Sequence, residues 1–253
     1  MENSINEINK KKQEQMLKLV TSSFYKELKN YGVDASDIVT VSVNLLDHIT
    51  DGTTTDKKSS EYYNDFFTIN AVKDKWESNY EICFNGVMIK QLEKSHIKTI
   101  SKWLANSDIN HTFIGLMPKE EDRLENYLLG RPEIKYFAIY YEKEHFVGII
   151  GAENIDHNFK KLEMKKMIGD EQFRGKGIAK SATFLFLYYT FNIMRFNKVY
   201  IHSLDTNIGN ININSKFGFG LEGILYGEVS INEKYCDVLR MGLLKSTWDD
   251  IFS

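Results

Sequence analysis

Apolar residues recur every three or four positions in some stretches of the chain and every second position in others, and the change of period predicts the elements. Met16, Leu17, Val20, Phe24 and Leu28 share one face of a first helix, which Gly32 stops. Ile38, Val41, Leu45, Leu46 and Ile49 fit a second helix beginning near Ser36, although the β-branched residues between 38 and 43 fit a buried strand equally well. Residues 53 to 60 are small and polar and read as a loop. Tyr62, Tyr63, Phe66, Phe67, Ile69, Val72 and Trp76 then form an aromatic-rich stretch that needs a surface to pack on. Residues 1 to 85 are therefore expected to form an appended, mostly helical domain, docked on its neighbour or on a second copy of the chain in a homodimer.

From residue 86 onward the pattern becomes richer in strands. A first strand at 87 to 92 leads to Ser95, a helix cap, and to a helix through Ile97, Ile100, Trp103 and Leu104. Residues 111 to 117 read as a loop, and 119 to 129 as an amphipathic helix closed by Gly130. Two β-rich runs, 136 to 141 and 145 to 154, flank Glu142-Lys143-Glu144 as a hairpin. A strand at 161 to 169, a long apolar helix from 178 to 194, a strand at 198 to 204 and a helix from 207 to 217 follow. A second hairpin, 222 to 231 with 235 to 243, ends the series. Strands in hairpins around two central helices imply an α+β fold with a mixed, mainly antiparallel sheet.

Composition narrows the partners more than the fold. The 253 residues are 42% hydrophobic and 26% charged, as in a globular protein, and the net charge of −3 offers no general attraction for nucleic acid or an anionic membrane. Cys83 and Cys236 lack metal-ligand spacing, so no metal is expected and both read as reduced thiols. Neither a signal core near Met1 nor a run of 18 apolar residues occurs, and a cytoplasmic location is expected.

The stretch that carries chemistry is Asp170-Glu171-Gln172-Phe173-Arg174-Gly175-Lys176-Gly177-Ile178-Ala179-Lys180. A glycine turn between a strand and a helix lets backbone N–H groups approach a phosphate closely, with the positive end of the helix behind them. Arg174, Lys176 and Lys180 add cations suited to a diphosphate. The spacing matches neither Gly-x-x-x-x-Gly-Lys-Ser/Thr nor Gly-x-Gly-x-x-Gly.

Arg174-x-x-Gly177-x-Ala179 resembles the Gln/Arg-x-x-Gly-x-Gly/Ala signature of the GCN5-related N-acetyltransferases, and residues 163 to 170 and 207 to 219 are similar to that family's fourth strand and last conserved helix. The resemblance covers about residues 87 to 248 and implies a twisted, mainly antiparallel sheet, acetyl-CoA as co-substrate and an amine as acceptor. It places the diphosphate on Arg174, Gly175, Lys176, Gly177, Ile178, Ala179 and Lys180, and the pantetheine arm on the backbone of Met167, Ile168 and Gly169. Asn207 and Asn210 match further cofactor contacts. Glu163 is the leading candidate base and His202 a second. Asn214 stands where the family often has a proton-donating Tyr, so its amide could only stabilise the thiolate. Trp103, His111, Phe113 and Ile114 fall where the family borders its acceptor cleft. The resemblance is nearest to enzymes of amino-sugar nucleotides, with protein amines as a second acceptor class and a non-catalytic acyl-CoA-binding protein as a third reading.

Overall fold

Residues 2–34, 37–39, 41, 62–72, 81–105, 117–204, 206–231 and 233–252 are described in the computed structural model of the chain. Two compact units divide it, Met1–Lys58 and Ser59–Ser253. The first contains helix α1, Glu2–Asn30, on which Met16, Leu17, Val20 and Phe24 are exposed. Gly32 ends it as expected, with φ of 75° and bonds from Gly32 N–H to Lys29 O (3.0 Å) and Val33 N–H to Leu28 O (2.9 Å). Of the second expected helix, residues 37–39 and 41 are helical, whereas Leu45, Leu46 and Ile49 lie outside the described residues.

The second unit is built on one sheet of eight strands: β1 (Ile82–Phe84), β2 (Val87–Gln91), β3 (Lys135–Tyr141), β4 (His145–Asp156), β5 (Lys161–Ile168), β6 (Lys198–Leu204), β7 (Gly220–Ile231) and β8 (Lys234–Leu244). Their order is β1-β2-β3-β4-β5-β6-β8-β7, and every neighbouring pair is antiparallel except β5 with β6. That exception has a covalent cause. A helix, α4 (Ile178–Tyr188), connects β5 to β6, and such a crossover returns the chain in the same direction. Both expected hairpins form, the first with Glu142 and Lys143 at φ of 51° and 66°.

Side chains alternate between the two faces of the sheet. On β3, Phe137 and Ile139 join Ile150 and Met164 beneath α4, α5 (Ile208–Ser215) and α6 (Lys245–Phe252). Tyr136 and Ala138 join Ile149 and Met167 beneath α2 (Ile97–Ala105) and α3 (Glu121–Leu129). Glu93, rather than Ser95, caps the entry to α2, because the His96 ring returns to the Glu93 N–H at 2.9 Å and closes a capping box.

The boundary expected at residue 85 falls elsewhere. Phe67, Val72 and Ile82 are core residues of the sheet unit, Tyr63 N–H donates to Lys216 O at 3.0 Å, and Phe67 stacks on Phe184 at 4.6 Å. The aromatic stretch needed a partner surface and found it on α4 and α5, so the described residues from 62 to 84 pack as part of the sheet unit.

Candidate active site

Pairing between β5 and β6 stops after Glu163↔Tyr200, although β5 continues to Ile168 and β6 to Leu204. The two strands part there and leave a gap through the sheet. Gly169 N–H donates to Val147 O at 2.9 Å, and strand alternation turns Met167 toward β4 in the same way. The backbone groups facing the gap are thus those of Lys166 and Ile168. Of the three residues expected to meet the pantetheine arm, Ile168 has its backbone on the gap side, while the Met167 and Gly169 backbones are engaged with β4. Gly169 matters for another reason: a Cβ there would overlap the Trp103 indole, which lies on the end of β5. Trp103 also packs on Phe146 with ring centroids 4.8 Å apart.

The glycine turn closes one end of the gap. Asp170 accepts from Gln172 N–H at 3.0 Å and holds a short turn at Glu171–Phe173. Gly175 and Gly177 follow with φ of 75° and 76°, and Gly177 is the N-cap of α4. Nothing lies within 4 Å of where a Cβ would stand at either glycine. Open space in front of a helix N-terminus, on left-handed backbone, is the shape an anion needs. The three cations are parked on their neighbours. Arg174 Nε donates to Ile168 O at 3.3 Å, Lys176 lies 4.8 Å from the Phe173 ring centre, and Lys180 lies 4.9 and 4.8 Å from those of Tyr63 and Phe66.

On the α2 and α3 face a buried polar chain crosses from β4 to β6. Tyr127 and Tyr136 both donate to Glu153 Oε1 at 2.8 Å, and Lys165 Nζ meets Glu153 Oε2 at 3.1 Å and Glu163 Oε1 at 3.5 Å. Glu163 is only 4% exposed; it accepts from Asn154 Nδ2 at 2.8 Å and lies 3.0 Å from His202 Nδ1. Burial alone would raise its pKa, but the His202 bond, the Lys165 charge and the Asn154 bond together hold it below the ordinary carboxylate range. A carboxylate held that firmly is a poor proton acceptor. Burial and Glu153 raise both Tyr127 and Tyr136, which therefore stay protonated as donors. His202 Nε2, by contrast, is buried with no hydrogen-bond partner. An imidazole that gives its Nδ1 proton to Glu163 presents a lone pair at that nitrogen.

On the other face, Asn207 caps α5 by accepting from Asn210 N–H at 3.4 Å, and Asn210 Nδ2 donates to Ser203 Oγ at 3.4 Å. Asn214 is fully buried, and its amide hydrogens go to Asn210 O (2.8 Å) and Asn210 Oδ1 (3.1 Å). No amide hydrogen of Asn214 is left for a thiolate, which corrects the role expected from its position. Its oxygen instead accepts from Lys166 Nζ at 2.9 Å. His111, Phe113 and Ile114 lie outside the described residues.

A family model, the acetyltransferase (GNAT) domain, matches residues 87–220, more than half of the chain. The chain belongs to the GNAT family. Within it, the spermidine N(1)-acetyltransferase of Vibrio cholerae is 30% identical over 112 residues, covering 44% of this chain and 64% of its own length. That of Escherichia coli K12 is 33% identical over 94 residues, covering 37% and 50%. The chain thus matches between half and two thirds of the length of these curated relatives. Among solved structures, the V. cholerae spermidine N-acetyltransferase in complex with CoA and spermine superposes with a TM-score of 0.61 at 24% identity, over 65% of this chain and 99% of that one. A dodecameric form of that enzyme gives 0.58 at 23%, over 65% and 97%. The GNAT fold of residues 87–220 thus agrees with the mixed, mainly antiparallel sheet expected from sequence.

Sequence reasoning missed Glu153, Asn154, Lys165 and Lys166 in this GNAT domain. Glu153 left a trace, a lone carboxylate ending the apolar run from Phe146 to Ala152 of β4. The Trp103 contact carries a test. Gly169→Ala should push the indole off β5, costing about 1–3 kcal/mol by overpacking, and a shift in tryptophan emission with a lowered melting temperature would report it.

Proposed function

We propose that the chain transfers an acetyl group from acetyl-CoA directly to a primary amine of a small molecule. The observation that carries this reading is the gap where β5 loses β6, with β5 backbone free of strand pairing along it and an open, glycine-lined helix N-terminus at its end. Ile168 and Lys166 would pair with the pantetheine amides as a further strand does, and the Gly175 to Ala179 turn would hold the diphosphate. Acetyl-CoA supplies the activated acyl carbon.

The residues on the α2 and α3 face handle the amine. His202 Nε2 takes its proton as nitrogen attacks, and Glu163 holds the ring and stabilises the imidazolium; Glu163 positions and His202 accepts. His202→Asn should lower kcat/KM about 100-fold or more. Glu163→Gln should lower it less, because the amide oxygen still accepts from the ring but carries no charge to offset the one forming on it. A Glu163→Gln enzyme as active as wild type would remove the pair from the mechanism.

The relatives' names favour a polyamine as acceptor, and the amino-sugar nucleotide expected from sequence finds no support among them. Glu153 and Glu163 suit a cationic acceptor, although Lys165 already neutralises one of the two charges. Thiol release from acetyl-CoA measured with spermidine, spermine, amino-sugar nucleotides and short peptides tests the reading. Turnover on polyamines supports it, turnover on peptides alone replaces the acceptor, and tight CoA binding without turnover on any amine leaves a non-catalytic acyl-CoA-binding protein.

A further inference from the structure

The Lys166 side chain takes no part in the chemistry described so far. It stands on β5 between Lys165 and Met167, and alternation turns it with Met164 toward α4 and α5, away from Glu163 and Lys165. Its Nζ donates to Thr183 Oγ1 on α4 at 3.0 Å and to Asn214 Oδ1 on α5 at 2.9 Å. Both partners are neutral. Thr183 Oγ1 spends its own hydrogen on Ala179 O at 2.7 Å, and both Asn214 amide hydrogens are committed to Asn210, so these two oxygens are fixed as acceptors aimed at the lysine.

An ammonium carries three hydrogens, and two are used here. The third has no partner among the described residues, on a strand whose backbone at this position faces the gap. A partly buried lysine without a carboxylate is costly to keep charged. Burial alone pushes its pKa down to about 7. No charged group on β4, α4 or α5 contributes to that shift, and the other charged members of β5, Lys161, Glu163 and Lys165, lie on the other face.

We propose that Lys166 is a catalytic residue that protonates the departing CoA thiolate. The proposal rests on the acetyl-transfer reading and supplies a donor that Asn214 cannot. Nitrogen forms its bond to the acyl carbon and its proton passes to His202 Nε2 on one face of the sheet. The C–S bond breaks, sulfur keeps the electron pair and takes one proton from Lys166 Nζ on the other face. Solvent then returns one proton to Lys166 and removes one from His202, and the sum is amide plus free thiol. The gap in the sheet is what lets donor and acceptor approach one acyl carbon from opposite sides.

Lys166→Gln retains an N–H donor for Asn214 and Thr183 and lacks a transferable proton. Its kcat should fall about 100-fold with CoA affinity within about threefold, and the descending basic limb of the wild-type kcat profile should vanish. A second readout needs no turnover. Thiolate absorbance of bound CoA, followed against pH, should show the bound thiol to be about a tenfold stronger acid in Lys166→Arg, whose charge persists where a thiol titrates, than in Lys166→Gln. Lys166→Arg should keep the acid-strengthening charge yet stay slow, because a guanidinium does not release its proton. A Lys166→Gln enzyme within threefold of wild type with the same profile, or the same bound-thiol titration in Lys166→Arg and Lys166→Gln, overturns the assignment. A wild type that binds CoA but acetylates no amine defeats the transfer reading, and the titration still decides whether Lys166 meets the sulfur. Failure to bind CoA removes both.

Discussion

Gly177→Asp should lose about 100-fold or more in CoA affinity, about 2.7 kcal/mol, while remaining folded. Nothing in the free protein obstructs the new side chain, since no atom lies within 4 Å of a Cβ there. Left-handed backbone at φ of 76° costs an Asp about 1–2 kcal/mol, an amount the unit should tolerate. The loss arises on binding. A carboxylate about 4 Å from a phosphate repels it by about 4 kcal/mol in a partly solvated site, and it competes with the ligand for the N–H groups opening α4. Gly177→Ala separates the effects by adding the strain without the charge, and should lose far less. Titration calorimetry with CoA, alongside circular dichroism, checks both variants. Equal affinities in wild type and Gly177→Asp would place the nucleotide elsewhere and take the acetyl-CoA reading with it.

Phe67→Ala should destabilise the sheet unit by about 3–5 kcal/mol. At about 2–4 °C per kcal/mol for a unit of this size, the melting temperature should fall by roughly 10 °C. Phe67 is 1% exposed and meets Phe184, Phe217 and Phe84 with ring centroids 4.6, 5.6 and 5.4 Å apart. Removing it leaves a cavity between α4, α5 and β1 that those large rings cannot readily fill. The neighbouring Phe66, 65% exposed, is the control, and its alanine variant should melt within about 2 °C of wild type. A Phe67→Ala protein as stable as wild type would mean that residues 62 to 72 do not belong to this core.

The pairing of charges across β5 follows the same separation of faces. Lys165 and Lys166 are adjacent in sequence, yet one lies among carboxylates and the other among neutral oxygens. Two lysines in succession look like a solvated strand edge when read alone. The strand's period of two sends them to opposite faces, and only the neighbours on those faces distinguish an ion-pair partner from a proton donor.

By itself the sequence determined the strands from β2 to β8, the hairpins of β3 with β4 and β7 with β8, the crossover helix and the glycine turn, because periodicity and turn chemistry act over a few residues and leave a local record. The Asn85-Gly86 pair, both at positive φ, is an equally local sign of the β1 and β2 hairpin. Tertiary structure alone decided that residues 62–72 and 81–84 pack with the sheet, that Glu163 is held by His202 from the next strand, and that Asn214 serves Lys166 from 48 positions away. Those contacts join residues far apart in the chain, and a side chain's charge state depends on what folding brings beside it.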